Sequence, residues 1–212
     1  MSALYGFLGE SDDGLLQHLS RSLSHRGVDV VEEKTPFASI GFCSDHESGV
    51  LADLGSGQFC HPDQDVSITV SGQVLHPRPK QGDVLPHLLE QYLERGLSFV
   101  NDMRGGFVMA IRDRDRVHLV RDGVGVRSLV WGQHHGRIYF AVESKALLAI
   151  PNFPRRLRSG AVAQYLSFSF VPGSGTMLED IEEMLPGHTL TLRCGTSPKQ
   201  KRWFFFEGGP GD

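Results

Sequence analysis

The chain has 212 residues, enough for one large domain or two small ones and for a core that needs no staples. It is 40% hydrophobic and 22% charged, which argues against disorder, and its net charge of −4 gives no electrostatic case for nucleic acid or an acidic membrane surface. Cys43, Cys60 and Cys194 are widely spaced with no C-x-x-C pair, and the ten histidines show no metal spacing, so neither a disulfide framework, a metal site nor a cofactor is expected.

The first segment, 3–8, is short, apolar and bounded by Gly9, which predicts a buried strand almost at the terminus. Chain ends are usually free, so burial there gives the terminus a role. The segment lacks a basic flank and is too short for a signal peptide. No stretch has the apolar length of a membrane span, and a reducing cytoplasm is the expected compartment.

A helix follows, capped by Asp12 or Asp13, with Leu15, Leu16, Leu19 and Leu23 at helical spacing; it ends near 24–27. Strands are expected over 37–42 and 66–70, the latter running into a bend at Ser71-Gly72. A second helix is predicted over 83–94, with Leu85, Leu88, Leu89, Tyr92 and Leu93 as its apolar stripe and Gly96 as its stop. Strands at 107–111, 117–120, 128–131 and 138–142 are separated by short polar turns, which implies antiparallel hairpins with Arg121 and Asp122 paired inside one of them. Short helices around 144–148 and 160–166 precede a final hairpin of 188–192 with 202–206. Residues 207–212 look like a tail or linker, leaving 1–206 as the domain. The fold class is α+β: two stacked antiparallel sheets with helices outside, several strands being apolar on both faces.

Six segments, in order, carry a resemblance. They are Ser24-His25-Arg26-Gly27-Val28-Asp29, Ser71-Gly72-Gln73-Val74, the run from Met103 to Ala110, the run from Val120 to Leu129, the run from Phe140 to Leu148, and Leu185-Pro186-Gly187-His188. Together they resemble the amino-terminal, glutamine-hydrolysing domain of asparagine synthetase-type class II glutamine amidotransferases, over essentially the whole chain. The resemblance implies a four-layer αββα sandwich of the N-terminal-nucleophile hydrolase type. It also implies a nucleophile at residue 2, exposed by removal of Met1, with its own α-amine as base; such an amine titrates near ~7.7–8.0.

Ser2 stands where that family keeps cysteine. A hydroxyl is the poorer nucleophile. The family's side-chain oxyanion donor, an asparagine, falls on Ser71, whose hydroxyl is expected to be too short; Gly72 keeps the backbone donor. Ala3 replaces a glycine, and no arginine stands near Cys43 or Ser44 to pair with a substrate carboxylate, although Cys43 could line the old pocket. Asp83 is either the residue that reads the substrate amine or a helix cap. The implied site is therefore Ser2 and Gly72 as catalytic positions, with Ser71 and Asp83 as substrate-binding positions.

Joint loss of nucleophile and anchors points to a pseudoenzyme of the asparagine-biosynthesis type, acting as a scaffold or as partner of a synthetase-type protein or domain. The alternative is an active N-terminal-serine amidohydrolase that releases ammonia from glutamine or another amide. The pyrophosphate loop of the synthetase half is absent, so a fragment of a longer biosynthetic protein is a third reading. Self-association as a homodimer stays open; nucleic acid and membrane partners are not expected.

Overall fold

The computed structural model describes residues 1–45 and 55–205. In chain order the strands are β1 (Ser2–Leu8), β2 (Asp29–Lys34), β3 (Ala38–Ser44), β4 (Gly57–Cys60), β5 (Val66–His76) and β6 (Arg104–Asp113). They continue with β7 (Arg116–Arg121), β8 (Val130–His134), β9 (Arg137–Ala141), β10 (Ile181–Glu183), β11 (His188–Arg193) and β12 (Lys199–Arg202). The helices are α1 (Asp13–Ser22), α2 (Val84–Arg95), α3 (Ser144–Leu148) and α4 (Ser159–Phe168).

The strands form two six-stranded sheets, ordered β10-β8-β9-β1-β3-β2 and β12-β11-β7-β6-β5-β4, and their named pairings are antiparallel. Strand β6 explains why runs apolar on both faces were needed. Its Val108 and Ala110 join the core shared with β1, β3, α1 and α3, while Phe107, Met109 and Ile111 join a second core under α2. Alternate side chains of one strand thus serve two different layers. The order is helix, sheet, sheet, helix, as expected.

Local signals worked where they were strong. Asp12 caps α1, its carboxylate accepting from the Leu15 amide at 3.1 Å, and Leu16, Leu19 and Leu23 are fully buried. Each such leucine contributes about 2 kcal/mol of burial, more than a ten-residue helix gains from propensity. Gly96 ends α2 with φ 58°.

Other expectations need correction. Ser71-Gly72 is not a bend: β5 runs straight through it to His76. The segment between β7 and β8 is not a hairpin, because β7 lies in one sheet and β8 in the other; it is the crossing between them. Arg121 and Asp122 do not pair there. Arg121 donates to the carbonyls of Arg127 and Met184 and ion-pairs with Glu183, while Asp122 folds the connection around itself. The last hairpin pairs β11 with Lys199–Arg202 rather than with 202–206, so its second strand lies earlier than expected; the expected tail 207–212 lies outside the described residues. Strands β2 and β4, both at sheet edges, were not expected at all.

An ion pair joins the two sheets at one edge. Arg112 of β6 donates to Glu33 of β2 at 2.7 Å, and the Ser67 hydroxyl of β5 donates to the other Glu33 oxygen. Burial of a charge is tolerated where every partner is supplied. Among the described residues no helix is long and apolar enough to cross a membrane.

Candidate functional site

Ser2 opens β1 opposite Ser44 of β3, and only 3% of it is exposed. Because β1 and β5 face each other between the sheets, Ser2 meets the middle of β5. Ser2 Oγ lies 3.0 Å from Ser71 Oγ and 3.0 Å from Ser56 Oγ. Ser56 donates in turn to the Val70 carbonyl at 3.2 Å and accepts from the Gly72 amide at 3.3 Å.

A serine has one proton to give, and either hydroxyl of each pair can be its donor, so one directed arrangement open to these contacts starts from Ser56. With the Ser56 proton on the Val70 carbonyl, Ser56 accepts from Ser2. The Ser2 proton is then spent on Ser56, so Ser2 accepts from Ser71. The chain reads Ser71 to Ser2 to Ser56 to the Val70 carbonyl. Among the described residues, the partners of Ser2 Oγ are hydroxyls, and neither is a base near neutral pH.

The sequence-predicted residues divide as follows. Ser2, Ser71 and Gly72 come together. The Ser71 hydroxyl, expected to be too short for a substrate oxygen, reaches the Ser2 oxygen itself. Gly72 has φ 124°, and a Cβ there would sit 2.3 Å from the Gly106 carbonyl oxygen, so only glycine fits. Asp83 is the residue before α2, extended, with no side-chain cap bond. It borders a cleft of about 270 Å³ whose wall includes Gly55, Ser56, Phe59 and Val84. Ser56 therefore stands between Ser2 and the cleft that holds Asp83. Sequence reasoning missed Ser56, because Gly55-Ser56-Gly57 reads as a plain turn.

Cys43, expected to line the old pocket, has no exposed surface. It is fully buried in the core opposite Ala3, with Sγ 3.9 Å from the Leu23 carbonyl, and burial pushes its thiol up to about 11. Ala3 is also fully buried. Met1 is exposed, its ammonium 3.4 Å from the Asp45 carboxylate, so the Ser2 nitrogen is a peptide nitrogen in this form.

The turn at 24–27 braces the site from outside. His25 and Arg26 both bond to Glu143, and Lys145 lies 3.1 Å from its other oxygen. Burial pushes the Glu143 carboxyl up, but Arg26, His25 and Lys145 outweigh it and hold it at about 2. A Cβ on Gly27 would meet the Ser44 backbone at 2.1 Å, so the turn closes directly on the strand position facing Ser2. Behind the site, Asp122 is fully buried. Its two oxygens accept from the amides of Val124, Gly125, Val126 and Arg127.

Comparison with known proteins adds three findings. The glutamine amidotransferase domain family matches residues 83–204, more than half of the chain. The chain is 28% identical over 205 residues to asparagine synthetase [glutamine-hydrolyzing] 2 of Bacillus subtilis, covering 88% of this chain and 27% of that protein. It is 28% identical over 208 residues to amidase chyE of Penicillium rubens, covering 91% of this chain and 30% of that protein. Among solved structures it resembles an allosteric regulatory enzyme of purine biosynthesis, with TM-score 0.65 and 13% identity, over 95% of this chain and 49% of that one. The glutamine phosphoribosylpyrophosphate amidotransferase of Bacillus subtilis gives TM-score 0.60 at 14% identity, with the same coverage. The chain thus spans under a third of these curated relatives and about half of these solved ones.

Proposed function

Because the chain belongs to the glutamine amidotransferase domain family and is asparagine synthetase-like within it, we propose that its glutamine hydrolysis has been lost. It then serves as a non-catalytic partner of a synthetase-type protein or domain. The observation that carries this reading is the state of Ser2. Its hydroxyl is buried and bonded to two other hydroxyls, and the Gly72 amide is engaged by one of them. Hydrolysis of an amide needs an activated nucleophile and a donor waiting for the oxyanion. Losing one such donor costs roughly 10²–10³ in rate.

The partner reading is supported by the length of the relatives and by α4. That helix buries only Ala161 and leaves Leu166 80% exposed, and beyond it Phe170 is 60% exposed, its ring 6.3 Å from that of Phe168. Contiguous apolar surface of this kind marks an interaction site. A synthetase-type domain is the occupant we assign to it, with 1–206 as the docking domain and 207–212 as a linker.

A second reading keeps Ser2 active, as an N-terminal-serine amidohydrolase releasing ammonia from glutamine or another amide. It is favoured by the similarity to a relative named as an amidase. One experiment separates the two. Intact mass establishes whether Met1 is removed, and ammonia release from glutamine is measured for the native protein beside Ser2→Cys. Neither is expected to exceed the buffer rate. Strong glutaminase activity in Ser2→Cys would overturn the loss of the pocket, and activity in the native protein would establish the second reading.

A further inference from the structure

The geometry points to Ser56 as a positioning residue that fills the oxyanion place of the Ser2 site and keeps the Gly72 amide from any bound amide. This rests on Gly72 being the backbone donor of the site, as the family resemblance implies. Strand β4 begins at Gly57, paired with Val70, whereas β5 continues to His76. Just beyond the end of that ladder lies the Gly72 amide. The Ser56 side chain takes it at 3.3 Å, together with the Val70 carbonyl at 3.2 Å. One hydroxyl thus does the work of a missing strand residue.

The same hydroxyl is in hydrogen-bond contact with Ser2 Oγ at 3.0 Å. A carbonyl oxygen held by the Gly72 amide would need about 2.7–3.1 Å from that nitrogen, along the direction Ser56 Oγ already occupies. An amide can reach Ser2 and Gly72 together only after Ser56 turns away. Turning away also releases Ser2 Oγ from that contact. Ser56 therefore acts on nucleophile and oxyanion donor at once, while its other face lines the cleft beside Asp83.

The test reads access rather than turnover. In Ser2→Cys protein, the introduced thiol is alkylated with iodoacetamide, a small amide electrophile, and labelled positions are found by peptide mass mapping. Adding Ser56→Ala is expected to speed labelling at residue 2 at least about tenfold, with labelling of exposed Cys194 unchanged and buried Cys43 still unlabelled. Ser56→Thr, which keeps the hydroxyl, returns the slow rate. Equal rates with and without the hydroxyl overturn the proposal. A measurement on the unsubstituted protein stands beside it: the Gly72 amide exchanges hydrogen slowly, at least about threefold slower than in Ser56→Ala, the protection one hydrogen bond confers. Exchange as fast as that of an open loop amide overturns the proposal even if the variants fold poorly. Failure of the loss-of-hydrolysis reading is seen separately, as ammonia from glutamine.

Discussion

Two buried polar clusters lie close in sequence to family-like motifs, yet they are built in opposite ways. Around Asp122 a full negative charge is enclosed, and the chain from Val124 to Arg127 is wrapped so that four amides face its two oxygens. Around Ser2 the groups are neutral hydroxyls in contact with one another, the last of them also on a carbonyl. The first arrangement holds the crossing between the sheets through its central carboxylate. Among the described residues, the side chains that Ser2 Oγ meets in the second are hydroxyls. The connection beside the site is thus organised around a carboxylate, and the Ser2 cluster around hydroxyls.

The largest expected effect follows from the charged cluster. Asp122→Ala removes the acceptor of four part-buried amides from a fully buried position, which should cost about 3–5 kcal/mol in urea denaturation. Asp122→Asn keeps one acceptor oxygen and should cost less. A loss under about 1 kcal/mol for Asp122→Ala would break the comparison, since the connection would then hold its shape without the carboxylate.

His118 lies between the two types: polar, buried and neutral by necessity. Its Nδ1 is 2.9 Å from the Thr191 hydroxyl, and its ring lies 5.9 Å from that of Tyr92. Burial lowers its pKa to about 4; Asp113 opposes this and Arg116 adds to it. The unfolded chain therefore takes up a proton near pH ~6.5 that the folded protein refuses until about pH 4. The stability due to neutral His118 is complete above pH ~6.5 and is lost as pH falls toward 4, by on the order of 3 kcal/mol. Urea midpoints from pH 7.5 to 4 should fall across that window in the native protein and stay flatter in His118→Gln. Parallel curves would mean that the imidazole is more solvated than its 6% exposure implies.

The layers of the fold were legible in the sequence because apolar runs are additive signals. Seven buried residues in β1 and two faces in β6 left little choice. Edge strands were not legible, because their apolar pattern is inverted. In β2 the valines Val30 and Val31 are exposed while Glu33 turns inward to Arg112. The crossing after β7 was misread as a hairpin, since a short polar connection looks the same whether the next strand joins the same sheet or the one behind it. At the site, Ser2, Ser71 and Gly72 were found through their motif positions. Ser56 could not be: its role comes from where the β4–β5 ladder stops, which no local pattern of Gly-Ser-Gly encodes.

The smallest expected effect is the most exacting, because it tests the direction of the hydroxyl chain. Ser2→Ala deletes the acceptor of the Ser71 proton and orphans a donor on a fully buried residue. Ser71→Ala leaves the Ser2 proton in place on Ser56 and deprives the Ser2 oxygen only of a donor. An unmet buried donor costs about 1–3 kcal/mol, whereas losing one ordinary hydrogen bond costs about 0.5–1.5 kcal/mol. Ser2→Ala should therefore destabilise more than Ser71→Ala. The double variant should cost less than the sum, because the donor orphaned by one change is removed by the other. Equal single losses, or strict additivity, would mean that the protons do not run from Ser71 through Ser2 to Ser56. The Ser2 proton would then be free to leave, and the cluster would again be a candidate nucleophile.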